Sequence, residues 1–188
     1  MRKVIRKISA AIVATTIIVA MCATCFAGTT FEGYFGQREN WYEGADGSLS
    51  GATASSFSAD MDAIGWGGVW GAQAHRDITV KKGQKYTLSF KATTTTAEKW
   101  VFFKVTDSQD TVVYADWLHL QPGVTENYKA TFKASANATF IYYGMGGEFG
   151  DRTEEQGDIY ALSEVLPNDA DSSFSTSVKV TNFKCVKS

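Results

Sequence analysis

Apolar and polar residues alternate with a period of two through most of this chain. Tyr86, Leu88, Phe90 and Ala92 are separated by Thr87, Ser89 and Lys91. Val101, Phe103 and Val105 alternate with Trp100, Phe102 and Lys104, and Tyr128, Ala130 and Phe132 with Lys129, Thr131 and Lys133. Residues 139–145 continue the habit. This is the repeat of a strand with one face buried. Further strands are predicted over 57–63, 69–75, 111–120 and 177–186. Turn residues fall between them: Lys82-Gly83, Asp107-Ser108-Gln109-Asp110, Pro122-Gly123 and Ser135-Ala136-Asn137. No window carries a helical stripe. Short strands at near-regular spacing predict an all-β fold, a two-sheet antiparallel β-sandwich of jelly-roll type. Tyr86, Leu88, Phe90, Val101, Phe103, Val105, Phe132 and Ile141 are its expected core. The Lys, Thr and Ser at outward positions exclude an outer-membrane barrel, whose lipid face needs an apolar band.

Two stretches break the rhythm. Arg2, Lys3, Arg6 and Lys7 precede an apolar run over 8–21, and Cys25-Phe26-Ala27 places small residues three and one before a cut after Ala27. That order predicts a secretory signal over 1–27, too short in its apolar part to span a membrane comfortably. Residues 28–188 are then a single domain acting outside the cell. The second stretch, an insertion at about 148–177, holds Glu148, Asp151, Glu154, Glu155, Asp158, Glu164, Asp169 and Asp171 against Arg152 only. Segments of this length inside a compact domain are functional or disordered, and 158–166 is a candidate short helix.

Loss of the leader changes the charge. It removes four of the 18 Lys and Arg and none of the 20 Asp and Glu, leaving 14 − 20 = −6 over 188 − 27 = 161 residues. With no basic tract left in the linear sequence, nucleic acid and an anionic membrane surface are not expected partners. Cys22 and Cys25 lie in the leader, so Cys185 is alone after cleavage and the domain relies on packing, with or without a metal, rather than an internal disulfide.

Six stretches then follow in a telling order: Phe31-Glu32; Trp70-Gly71-Ala72-Gln73; Lys82-Gly83-Gln84-Lys85-Tyr86-Thr87-Leu88-Ser89-Phe90-Lys91-Ala92; Tyr128-Lys129-Ala130-Thr131-Phe132; Tyr143-Gly144-Met145-Gly146; and Val178-Lys179-Val180-Thr181-Asn182-Phe183. The succession resembles the carbohydrate-binding modules of families 4 and 9, galactose-binding-like β-jelly rolls that hold polysaccharide in a groove on one sheet. The resemblance implies a polysaccharide partner of plant type, xylan or β-glucan, and association with other secreted glycan-degrading proteins. It also implies a structural calcium held in part by Glu32, with no cofactor required for binding. The chain departs from the pattern at two places. Thr181 stands where an Asp commonly precedes the Asn, which weakens the calcium set, since that ion takes six to eight oxygens. The Trp that commonly precedes the Tyr-x-x-x-Phe strand is absent, with Glu126-Asn127 in its region.

Sugar rings stack their C–H faces on aromatics while their hydroxyls seek polar partners. Phase along each strand nominates the groove. If Val101, Phe103 and Val105 point inward, Trp100, Phe102 and Lys104 point out. If Ile141 and Tyr143 point inward, Phe140 and Tyr142 point out. Parity with Ala72 and Ala74 places Trp70 in the core and Gln73 with His75 on the outer face. Trp66, on the loop Gly65-Trp66-Gly67-Gly68, and Trp117 complete the candidates. The expected ligand-binding set is Trp66, Gln73, Trp100, Phe102, Trp117 and Tyr142. A register error of one residue would exchange the two faces.

No catalytic constellation stands out. His75 and His119 are the only histidines, without a Gly-x-Ser-x-Gly elbow or a His-x-x-x-His spacing. A glycosidase needs two differently tuned carboxylates about one bond, and most acids here fall in turns or the acidic stretch. The reading is a secreted, non-catalytic carbohydrate-binding protein. Its alternatives are a jelly-roll glycoside hydrolase or lyase and a structural cell-surface sandwich.

Overall fold

The computed structural model describes residues 30–36, 45–64, 69–109, 111–146 and 175–188. Along them run β1 (Glu32–Phe35), β2 (Ala45–Ser50), β3 (Phe57–Ile64), a 3-10 turn (Val69–Gly71), β4 (Ala72–Val80), β5 (Lys85–Thr94), β6 (Lys99–Thr106), β7 (Val112–Leu120), β8 (Glu126–Lys133), β9 (Ala138–Gly144) and β10 (Thr176–Lys187). They form two five-stranded sheets, ordered β1-β4-β9-β6-β7 and β2-β3-β10-β5-β8, with antiparallel neighbours throughout. The two-sheet sandwich expected from the alternation is the fold. The leader 1–27, Trp66, and the acidic stretch up to 174 with its candidate helix lie outside the described residues.

All eight expected core residues are buried between the sheets. Aromatics lock the middle: Phe90 meets Phe103 edge-to-face at 5.1 Å and Tyr143 at 5.3 Å, geometry that adds to the area term. β1 and β2 had no sequence signal, because EGYF and ADGSLS are too short or too poor in apolar residues to show an alternation. In β10 the register shifts between Thr181 and Lys184, and Asn182 adopts φ 56°. That bulge turns Phe183 into the core, 5.6 Å from Phe31, while its N–H donates to the Ser55 carbonyl. The Arg76 guanidinium lies over Phe31 at 5.7 Å and Phe183 at 5.2 Å, closing that end of the core.

The free edges β7 and β8 belong to different sheets and meet at one seam. There Tyr128 Oη donates to Asp116 Oδ2 at 2.5 Å, the Tyr114 and Tyr128 hydroxyls lie 2.5 Å apart, and the Trp117 N–H donates to Asp116 Oδ1 at 2.8 Å. Burial, first, and the neighbouring Asp116 push both phenols above their usual pKa, so they stay protonated and donate. No helix among the described residues is long and apolar enough to cross a membrane.

Candidate functional site: the outer face of the β1-β4-β9-β6-β7 sheet

Register assembles this face in rows that cross all five strands. One row runs Glu32, His75, Tyr142, Lys104, Ala115; the next runs Tyr34, Gln73, Gly144, Phe102, Trp117; beyond them Trp100 pairs with His119. Gln73, Trp100, Phe102 and Tyr142 therefore share one face, as their phase required, and Trp117 joins them. Exposure on it is a separate matter.

The 3-10 turn explains the difference. Val69 and Trp70 fold over Gly144, where a Cβ would come 2.8 Å from Val69 Cγ1 and 3.0 Å from Trp70 Cε3. Backbone bonds outside the ladder hold the turn: Val69 O accepts from Gly146 N at 2.8 Å and Gly71 O from Gly36 N at 2.9 Å. Gln73 adds a third, donating from Nε2 to the Trp70 carbonyl at 3.0 Å. Two expectations change. Phe102 lies on the outer face but is 0% exposed, packed under Val69 and Trp70 and beside Trp117, so it is a floor and not a stacking platform. Gln73 is 8% exposed and its amide is already engaged with the turn, so its part is positional. Trp70 is also corrected. The 3-10 turn breaks its parity with Ala72 and Ala74, and the ring stands half-buried on the outer face, edge-on to Phe102 at 5.5 Å and to Tyr142 at 6.4 Å. Lys104, 7% exposed, sets its Nζ 4.7 Å from the Trp70 ring centre and 5.7 Å from that of Tyr142, an ammonium held against ring faces.

Either side of this ridge lies an aromatic group. On one side Tyr34 stacks on His75 (5.2 Å, 5°) and His75 on Tyr142 (5.2 Å, 20°). Stacking spends ring faces inside the group, and the His75 imidazole is largely buried, with Nε2 3.8 Å from the Glu32 carboxylate. Tyr34, 38% exposed, ends the stack. On the other side Trp100 is half-buried and stacks on His119 at 4.4 Å and 13°. His119 Nε2 contacts Glu98 Oε1, and the Gln121 amide lies 3.3 Å from the same nitrogen. The face thus offers ring surface flanked by carboxylate, amide and imidazole, the mixture a pyranose needs.

Tyr34 and His119 were not foreseen. Tyr34 sits in a strand of four residues, too short for phase to speak. His119 was within reach, since Trp117 and His119 alternate along a foreseen strand. Glu32, the expected calcium ligand, has its carboxylate exposed on this face, 3.8 Å from His75 Nε2, while Thr181 faces outward from the opposite sheet. Among the described residues no cluster of three or more His, Cys, Asp or Glu side chains is placed to hold a metal.

Solved structures share this two-sheet β-sandwich fold, carbohydrate-binding modules among them. A CBM4 structure superposes with a TM-score of 0.59 at 14% identity, over 84% of this chain and 86% of the other. The N-terminal cellulose-binding domain of Cellulomonas fimi β-1,4-glucanase C superposes at 0.54 with 15% identity, over 84% and 88%. BiXyn10A CBM1 in its apo form gives 0.53 with 12% identity, over 87% and 93%. At such identities the likeness is one of fold. No protein-family model and no curated protein sequence matches the chain.

Proposed function

We propose that this is a secreted, non-catalytic carbohydrate-binding protein that takes a neutral β-linked polysaccharide of xylan or β-glucan type on the outer face of the β1-β4-β9-β6-β7 sheet. The observation that carries the reading is the placement of Trp100 and Tyr34 as part-exposed rings on a sheet face beside Glu98, Glu32, His75 and His119. A soluble sandwich gains nothing in stability by leaving such rings at its surface. Sugar rings would lie against them, with the carboxylates and imidazoles receiving or donating hydrogen bonds at the ring edges. Binding needs no metal and no bond is broken. The sharing of fold with a cellulose-binding domain supports the same reading. Residues 1–27 would direct export and be removed, leaving a chain that begins at Gly28.

Affinity electrophoresis of the exported protein against xylan, β-glucan and mannan is the direct test. Retardation without release of reducing sugar is expected. Product release would assign an enzyme, and migration unchanged by every polysaccharide would defeat the reading. Sequencing the N-terminus of the exported chain checks the cleavage after Ala27.

A further inference from the structure

The opposite face of the sandwich has a different chemistry. In β5 the core takes Tyr86, Leu88, Phe90 and Ala92, so Lys85, Thr87, Ser89, Lys91 and Thr93 face outward. In β8 Phe132 points in and Asn127, Lys129, Thr131 and Lys133 point out; in β10 Val178 and Val180 point in and Lys179, Thr181 and Lys184 point out. Register lays these strands side by side. Lys184 lies opposite Ser89 and Ser89 opposite Lys129; Thr181, Lys91 and Asn127 form the next row; Lys85 lies directly opposite Lys133. Lys85, Lys91, Lys129, Lys133, Lys179 and Lys184 are all exposed. No Asp or Glu occupies an outward position on these three strands. The ion pairs Glu32–His75 and Glu98–His119 belong to the other sheet.

Like charges facing each other across a strand pair are destabilising; the nearest outward acids on this sheet, Asp60 and Asp62, lie on β3 at the far side of β10, with Asp60 opposite Ser177. Edge protection accounts for lysines on β8, the free edge. It does not account for Lys91, Lys179 and Lys184, because β5 and β10 are interior strands. Nor does solubility ask for a cationic face, since the chain as a whole is acidic.

What the face lacks selects its partner. Its outward positions on β5, β8 and β10 hold no aromatic ring, which removes the stacking platform that single-stranded nucleic acid uses. Its charges are lysines without arginine, so the bidentate fork that favours phosphate is missing. Val186 is the exposed large apolar side chain there, too little to enter a bilayer. Ammonium groups on flexible stems, spaced by Ser and Thr hydroxyls, suit a polymer that is hydroxylated and bears carboxylates at intervals. We infer that the outer face of β10, β5 and β8 binds a linear anionic polysaccharide, a polyuronate, independently of the glycan taken by the aromatic face. The two faces lie on opposite sides of one core, so one molecule would join an anionic polymer to a neutral one.

The probe is polygalacturonate, titrated against the exported protein, with neutral xylan, phosphatidylserine vesicles and single-stranded DNA in parallel. Binding is expected at about 0.1 M salt, where the screening length is about 10 Å, and is lost near 1 M, where it is about 3 Å. The triple variant Lys91→Gln, Lys129→Gln, Lys184→Gln should bind polygalacturonate about ten-fold or more weakly, with a melting temperature equal to or above that of the native chain and unchanged retardation by xylan. Trp100→Ala should keep its polygalacturonate affinity. The inference is overturned if the native protein does not bind polygalacturonate, if the triple variant binds it as well as the native chain, or if vesicles or DNA bind more tightly. Failure on xylan with success on polygalacturonate would sink the proposed neutral-glycan function and leave this one standing.

Discussion

The two outer faces of this sandwich share one core and have almost nothing else in common. The β1-β4-β9-β6-β7 face carries Tyr34, His75, Tyr142, Trp70, Phe102, Trp117 and Trp100, with its buried lysine pressed against rings. The β10-β5-β8 face carries lysines, threonines and serines and no ring. Both arise from the same period-two rule, which sends every second residue outward and leaves the choice of residue open. The sheet that puts rings outward also needs an added element, the Val69–Gly71 turn, to cover part of them. The sheet that puts ammonium groups outward needs no cover, because water solvates them. The fold fixes where the faces are; their chemistry is set by side chains that contribute little to the core.

The sharpest way to break this contrast is to remove a ring that looks like ligand surface and is not. Phe102→Ala should cost about 3–5 kcal/mol, the range for truncating a buried aromatic, and should lower the melting temperature as well as glycan binding. A denaturant melt showing a negligible change would put Phe102 back at the surface. Gly144→Ala acts on the same ridge from beneath. Its methyl would press on Val69 and Trp70, so a loss of about 1–3 kcal/mol is expected for the overpacking, with weaker retardation by xylan and unaltered response to polygalacturonate.

Trp100→Ala separates the two kinds of aromatic. Its ring is half-buried against His119, so stability should fall by less than the ~3–5 kcal/mol of a fully buried aromatic, while glycan affinity falls about ten-fold, one decade being about 1.4 kcal/mol. Calorimetric titration paired with thermal melts reads both. A large drop in melting temperature with full affinity per folded molecule would mean that Trp100 packs rather than binds.

The smallest effect is a pH dependence on the lysine-bearing sheet. Hydrogen bonds from Ser50 above all, with Ser177 and Ser58, hold the Asp60 carboxyl below its usual pKa. A depressed folded pKa favours folding above the unfolded value of about 3.9, and that contribution disappears as pH falls through the folded value. Asp60 is largely solvated, so the difference between the native chain and Asp60→Asn should stay within about 0.5 kcal/mol. Melts at pH 6 should resolve it and melts near pH 2 should not; a gap that widens in acid would reverse the assignment.

Phase along the strands was enough to sort residues between faces. Trp100, Phe102, Gln73 and Tyr142 fell where alternation put them, because a half-buried strand has only two sides. Burial on the outer face was hidden, since it depends on a turn three residues long whose backbone bonds reach Gly36 and Gly146, distant in sequence. Trp70 was misplaced for the same reason: parity was carried back through a segment that is not a strand. The lysine face was hidden differently. Each strand shows its lysines out of phase with its core, but β10 comes to lie beside β5 only through pairing across about ninety residues, so no window of the sequence contains the cluster.

The seam at Asp116 acquires a mechanical meaning in this light. β7 and β8 carry no backbone ladder between them, and at this edge the two sheets are joined by packing and by the Tyr114–Tyr128–Asp116 contacts. A molecule gripped by a polymer on each face is loaded through its thickness, so tension acts to part the sheets rather than to unzip either one. Dispersion contacts resist such a pull only over a very short travel. The carboxylate with its two phenols is then a clasp on the open side of the book, and it also holds the strand that carries Trp117 at the level of the aromatic face.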